Sequence, residues 1–134
     1  LDACGGHGLV IPERHAVGIT PGALRASAGA LEHVLVSRVV SIKKTVIYFR
    51  QIGINILGLD HMGKRSFAES KLTGPMALVL GSESNGISSE VKSLCDELIS
   101  IPMKGKVESL NVAVSAGIVL YETIRQRMSG SMDK

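Results

Sequence analysis

Five short runs of the chain are almost continuously apolar: Gly8 to Ile11 (GLVI), Val34 to Val40 (VLVSRVV), Ile54 to Leu59 (INILGL), Met76 to Leu80 (MALVL) and Leu98 to Ile101 (LISI). A strand with one wet face alternates apolar and polar residues, whereas a strand covered on both faces reads as an unbroken apolar run. The runs therefore predict a mainly parallel sheet, and the segments between them carry the helices that parallel crossovers need. Thr20 and Pro21 form an N-cap and first helical residue for GALRASAGALEH. Ser41 is placed to cap IKKTVIYFRQI, where Ile42, Val46 and Phe49 share a stripe and Gly53 ends the helix. Ser88 is placed to cap SEVKSLCDE, with Glu90 near the positive end of the helix dipole. A last helix is expected from about Ser109 to Met128. The class is α/β, a mainly parallel sheet with helices on both faces.

Two segments depart from this alternation. DHMGKRSFAESKLTGP, between the third and fourth strands, has no helical stripe and is expected to be an irregular crossover with a short helical turn. At the start, Leu1 and Cys4 stand at helical spacing before Gly5 and Gly6, and no initiator methionine is present. The expectation is that Leu1 lies inside a helix and that at least one element precedes it.

The 134 residues suit one domain, residues 1–134. Cys4 and Cys95 are too few for a disulfide framework and have no Cys or His at ligand spacing, so no metal is expected and a cytoplasmic setting is the default. The longest apolar stretch, Val112 to Tyr121, is too short to span a bilayer, and no signal-peptide pattern opens the chain. A net charge of +3 is compatible with a polyanionic partner. With two Tyr, two Phe and no Trp there is no aromatic face for stacking single-stranded bases. Generic nucleotide motifs are also missing. GGHG (Gly5 to Gly8) precedes a strand instead of following one, no P-loop ending occurs, and GSESNG (Gly81 to Gly86) holds no nucleophile elbow. His7, His15, His33 and His61 are scattered and read as surface or capping residues.

What remains is positional. Ligands of open parallel sheets sit outside the carboxyl ends of the strands, and two loops of unusual content leave such ends: Gly81 to Gly86 after MALVL, and Pro102 to Glu108 after LISI. From the residues alone, the first also reads as a turn feeding the helix after Ser88, and the second as a solvated turn with Lys104 and Lys106 in water. From Leu110 to Leu120 the last helix is apolar nearly all round, so sheet, loops or another subunit must cover it. Its small residues Ala113, Ser115, Ala116 and Gly117 permit close backbone approach, and Glu122, Arg125, Gln126 and Arg127 restore a polar face.

LVLGSESNGIS and IPMKGKVESLNVAVSAGIVLYE resemble the second and third motifs of the SPOUT superfamily, in its TrmH/SpoU branch of RNA ribose 2'-O-methyltransferases. GHGLVIP, ASAGALEHV and LTGPMALVLG follow in matching order, so the likeness covers essentially the whole chain and is closest to the RlmB-type large-subunit ribosomal RNA guanosine methyltransferases. The resemblance implies a C-terminal deep trefoil knot, an exception to the usual topology rules. It implies that S-adenosyl-L-methionine is held there chiefly by backbone and apolar groups, with Gly81, Ile101 and Leu110 lining the site and Met103 and Gly105 close by. It also implies a homodimer that uses the last helix, and ribosomal RNA as partner. The reaction carries a methyl group from a sulfonium to a ribose hydroxyl, so alignment and proton removal are the protein's tasks and no metal is needed.

By the same resemblance Glu83, Ser109 and Asn111 occupy the catalytic positions. Glu83 is expected to orient groups, since an ordinary carboxylate is a weak base toward a sugar hydroxyl. The family's first motif carries an Asn and an Arg that align just before Leu1, and relatives often carry an upstream RNA-binding domain. The chain as given is therefore expected to bind the cofactor but to transfer methyl groups poorly or not at all. Alternatives are a transfer RNA or resistance-type ribosomal RNA target, or a non-catalytic cofactor- or RNA-binding module. Asn111→Ala is expected to lower the rate of methyl transfer far more than Lys92→Ala.

Overall fold

The computed structural model describes residues 1–14, 21, 25 and 29–132. The chain forms two compact units, Leu1–Thr45 and Val46–Lys134. In the first, Asp2–Cys4 make a single 3-10 turn closed by Gly5 at φ 65°, whose N–H donates to the Asp2 carbonyl. The helical spacing of Leu1 and Cys4 is thus real but lasts one tight turn. Strand β1 (Gly8–Pro12) pairs in parallel with β2 (Leu35–Val39), in register from Gly8 opposite Leu35 to Pro12 opposite Val39. The expected Val34 and Val40 drop out of β2 because its partner is only five residues long. The helix expected after Thr20 lies largely outside the described residues, as does His15.

Helix α1 (Ile42–Gln51) begins where Ser41 predicts. The Ser41 hydroxyl accepts from the Lys44 N–H at 3.2 Å, and the Thr45 hydroxyl donates to the Ser41 carbonyl. The helix ends at Gly53, whose φ of 86° needs a residue without Cβ.

The second unit holds β3 (Asn55–Leu59), β4 (Arg65–Ser66), β5 (Met76–Leu80) and β6 (Glu97–Ser100) in the order β4-β6-β3-β5, every pair parallel. Helix α2 (Ser89–Leu94) joins β5 to β6, and α3 (Val112–Met132) closes the chain. Ser88 caps α2 as expected, accepting from the Val91 N–H. Ile56 and Leu57 of the inner strand β3 are fully buried. Leu57, Leu72, Ile99 and Val119 form the core cluster, with Leu59, Phe67, Met76, Leu78 and Ile101 packed around it. Burying each such side chain contributes roughly 1.5–3 kcal/mol.

The crossover from Asp60 to Pro75 contains no helix, only the two-residue β4. Its backbone polar groups find partners on α3. Gln126 accepts from the Leu72 N–H at 2.9 Å and donates to the Ser70 carbonyl at 3.0 Å. Arg127 donates to the carbonyls of Leu72 and Gly74. Residues that read as a plain polar helix face are therefore the partners of a loop whose Leu72 is fully buried.

Helix α3 is less enclosed than its sequence implies. Val119 and Thr123 are buried, but Val114, Tyr121 and Met128, seven residues apart, are all more than half exposed. A Cβ on Gly117 would meet nothing within 4 Å, so that glycine serves no close approach within the described chain. Among the described residues no helix is long and apolar enough to cross a membrane.

Candidate active site

In the second unit β5 and β6 flank β3, so the loops following β5 and β6 leave the same carboxyl edge of the sheet with one strand between them. At a strand spacing of about 4.8 Å, their starting points lie roughly 10 Å apart. Every residue expected to bind or act on ligand lies in these loops.

Gly81 to Gly86 fold back on themselves. Ser82 and Gly86 exchange backbone hydrogen bonds at 3.2 and 2.9 Å, and the Ser82 hydroxyl accepts from the Asn85 N–H. Gly86 takes φ 65° at the closure. A Cβ on Gly81 would lie 2.2 Å from the Gly86 carbonyl carbon and 2.4 Å from the Ile87 nitrogen, so no side chain fits there. Glu83 sits exposed at the turn.

The second loop is open. No backbone hydrogen bond ties residues 101–110 to the rest of the described chain. Ile101 is half-buried and its side chain packs on the core cluster, which leaves its main chain as the part available to a ligand. Met103 and Leu110 are 37% and 36% exposed, apolar groups without full cover. A Cβ on Gly105 would meet nothing within 4 Å. Ser109 is exposed and precedes α3 instead of starting it. The expected helix start moves three residues because Asn111 is the cap: its Oδ1 accepts from the N–H groups of Ala113 at 2.9 Å and Val114 at 3.3 Å. That leaves the Asn111 amide NH₂ free to donate.

Unclaimed peptide groups beside half-covered apolar side chains suit a flat, nitrogen-rich heterocycle such as the adenine of S-adenosylmethionine.

Two residues at this edge escaped the sequence reading. Asp60 follows β3, and its side chain is only 4% exposed. Its Oδ1 accepts from the Met62 N–H at 2.9 Å, and its Oδ2 pairs with Lys92 Nζ at 2.7 Å. The Lys92 hydrogen bond is the main reason the Asp60 carboxyl is held below the usual aspartate range, against burial that would raise it. Lys92 is thus no neutral surface residue. The available signal was positional, since Asp60 is the first polar residue after an apolar strand.

An open groove of about 460 Å³ lies at the opposite, amino edge, lined by Asn55, Arg65, Lys71, Asp96 and Glu97 among others. None of the expected site residues lines it. Arg65 pairs with Glu97 at 3.3 Å and Arg50 with Asp96 at 3.2 Å, so much of its charge is internally neutralised.

A parallel α/β sheet with glycine-bearing loops gathered on its carboxyl edge is the arrangement in which open α/β folds take small molecules. The chain belongs to the SpoU rRNA Methylase family, which residues 1–121 match. YacO of Bacillus subtilis, named for the TrmH family of tRNA/rRNA methyltransferases, is 45% identical over 126 residues, covering 94% of this chain and 51% of YacO. The SpoU methyltransferase AviRb of Streptomyces viridochromogenes, crystallised in complex with the cofactor AdoMet, superposes with a TM-score of 0.87 at 36% identity, over 96% of this chain and 53% of AviRb. The A. aeolicus TrmH/SpoU tRNA modifying enzyme gives a TM-score of 0.85 at 32% identity, over 97% and 66% of the two chains. The chain spans about half the length of YacO and AviRb.

Proposed function

We propose that this chain is the donor-binding, catalytic portion of an S-adenosylmethionine-dependent RNA ribose 2'-O-methyltransferase acting on a guanosine of large-subunit ribosomal RNA in the cytoplasm. The observation that carries this reading is the stretch 101–110 at the carboxyl edge, exposed beyond Ile101 and without backbone hydrogen bonds to the rest of the described chain, running into the Asn111 cap. Peptide groups that the fold leaves unclaimed are available to a ligand. Family membership supports the reaction class.

When bound, S-adenosylmethionine supplies a methyl group already activated on a sulfonium. The chain's residues orient and desolvate. Ile101 and Gly105 offer main chain, Met103 and Leu110 offer apolar surface, and the tight Gly81 turn keeps side chains away. Asn111, its oxygen held by α3, donates from its NH₂; Ser109 and Glu83 orient the ribose hydroxyl beside it. The C-terminal part is threaded as a trefoil knot, a reading favoured by the way α3 grips the 70–74 segment. The exposed stripe of Val114, Tyr121 and Met128 favours a homodimer along α3.

Calorimetry with S-adenosylmethionine and S-adenosylhomocysteine tests the donor site, and absence of heat at millimolar ligand rejects it. Within a protein of the full length of relatives such as YacO, the chain should methylate ribosomal RNA at a ribose 2'-oxygen. Methylation of transfer RNA alone would move the substrate to the class named for the A. aeolicus neighbour.

A further inference from the structure

We propose that the ion pair between the buried Asp60 carboxylate and the half-exposed Lys92 ammonium is a positioning device for the donor pocket, fixing the starts of the two carboxyl-edge loops against one another. The inference rests on the donor-site reading above. Asp60 continues β3, the strand between the two from which the loops depart, and it is tied in both directions. Toward β6, its N–H donates to the Ile99 carbonyl at 2.9 Å, and its own carbonyl accepts from the Gly63 N–H at 2.9 Å. Gly63 lies so close to β6 that a Cβ there would be 2.5 Å from the Ile99 carbonyl carbon, and Ile99 is two residues before Ile101. Toward β5, its carboxylate holds Lys92 of α2 at 2.7 Å, and α2 is the helix into which the Gly81–Gly86 loop feeds.

Each connection reaches the residue from which its loop departs. Gly81 is packed on the Gly86 and Ile87 backbone, so a shift of α2 must move the first loop. Asp60 moves with β6, so a shift there must move Ile101, where the second loop starts. The ion pair is the side-chain link between these two rigid paths, and a nearly buried carboxylate with both oxygens engaged is a stiff one. Asp60 and Lys92 are therefore positioning residues, acting on ligand through the loops.

The test measures S-adenosylhomocysteine affinity by calorimetry and unfolding midpoint on the same samples. Asp60→Asn keeps a carbonyl for the Met62 N–H but loses the charge, and Lys92→Met removes the partner. Each should weaken binding about tenfold or more, and Lys92→Arg should restore it to within about threefold of the unsubstituted chain. Arg65→Ala, which removes the Arg65–Glu97 pair at the opposite, amino edge, should keep normal affinity. The double variant Asp60→Asn/Lys92→Met leaves no unpaired buried charge and covers a failure of either single variant to fold; it too should bind weakly. Unchanged affinity in the pair variants, or equal weakening in Arg65→Ala, overturns the positioning role and leaves the donor site standing. No binding by the unsubstituted chain overturns both.

Discussion

The side-chain oxygen of Asn111 accepts from the main-chain N–H of Ala113 at 2.9 Å, so the residue expected to face the chemistry also closes the first turn of α3. The two roles use different atoms of one amide. Asn111→Asp keeps the cap and adds a charge that suits the helix N-terminus, but removes the NH₂ donor. It should unfold within about 0.5 kcal/mol of the parent, whereas Asn111→Ala loses about 1 kcal/mol. If the donor acts on substrate, both variants fail in methyl transfer when carried in the full-length protein. Thermal unfolding beside a methylation assay separates cap from donor.

Gln126→Ala strips partners from the Leu72 N–H and the Ser70 carbonyl, which lie in a loop with no ladder of its own. The loss should be about 1–3 kcal/mol. Hydrogen exchange at the Leu72 amide should quicken more than exchange in β3. Uniform quickening would mean that the loop and sheet open together.

The two site glycines should separate cleanly. Gly81→Ala places a methyl 2.2 Å from backbone, so the loop must move and cofactor affinity should fall even if the unit stays folded. Gly105→Ala meets nothing within 4 Å, and stability should stay within about 0.5 kcal/mol of the parent. Any loss of affinity in Gly105→Ala then reports the ligand itself pressing on that residue. Calorimetry and thermal unfolding of both variants decide the matter.

Acid should expose the Asp60–Lys92 pair. Because the Asp60 carboxyl titrates below its ordinary 3.8, its contribution is fully present above that value and is lost as pH falls through the lower folded one. Near neutrality Asp60→Asn should therefore cost about 1–3 kcal/mol. The gap between parent and variant should shrink only well below pH 4. Denaturant titrations at neutral and acid pH measure it, and a gap independent of pH would remove the ion pair as its source.

Tyr121 stands at the centre of the exposed stripe on α3 with Val114 and Met128 on either side. Tyr121→Glu should shift sedimentation from dimer toward monomer while leaving the unfolding of the second unit intact. A parent chain that sediments as a monomer would deny the stripe that partner.

The strands were the most legible part of the sequence, and for a physical reason. Met76–Leu80 is recovered to the residue because Pro75 and Gly81 bound an unbroken apolar run. Where runs lacked such stops, pairing set the limits, as when Val34 and Val40 fell outside β2. The start of α3 shifted from Ser109 because two cap residues stood close together, and only the folded backbone showed that Asn111 held the N–H groups. Glu83 and the 101–111 residues were placed on one edge by position and family motif together. Asp60, Lys92 and Gln126 stayed hidden because their partners are distant in sequence, and periodicity carries no information about such pairs.

The open stretch from Ile101 to Leu110 has one more consequence. A recognition surface made of peptide groups presents the same donors and acceptors whatever side chains hang from it. Single substitutions at Lys104, Lys106 or Val107 can then alter what approaches from outside without erasing the contacts made within. On the proposed reading, drift in the target and constancy in the donor fall to different atoms of the same ten residues.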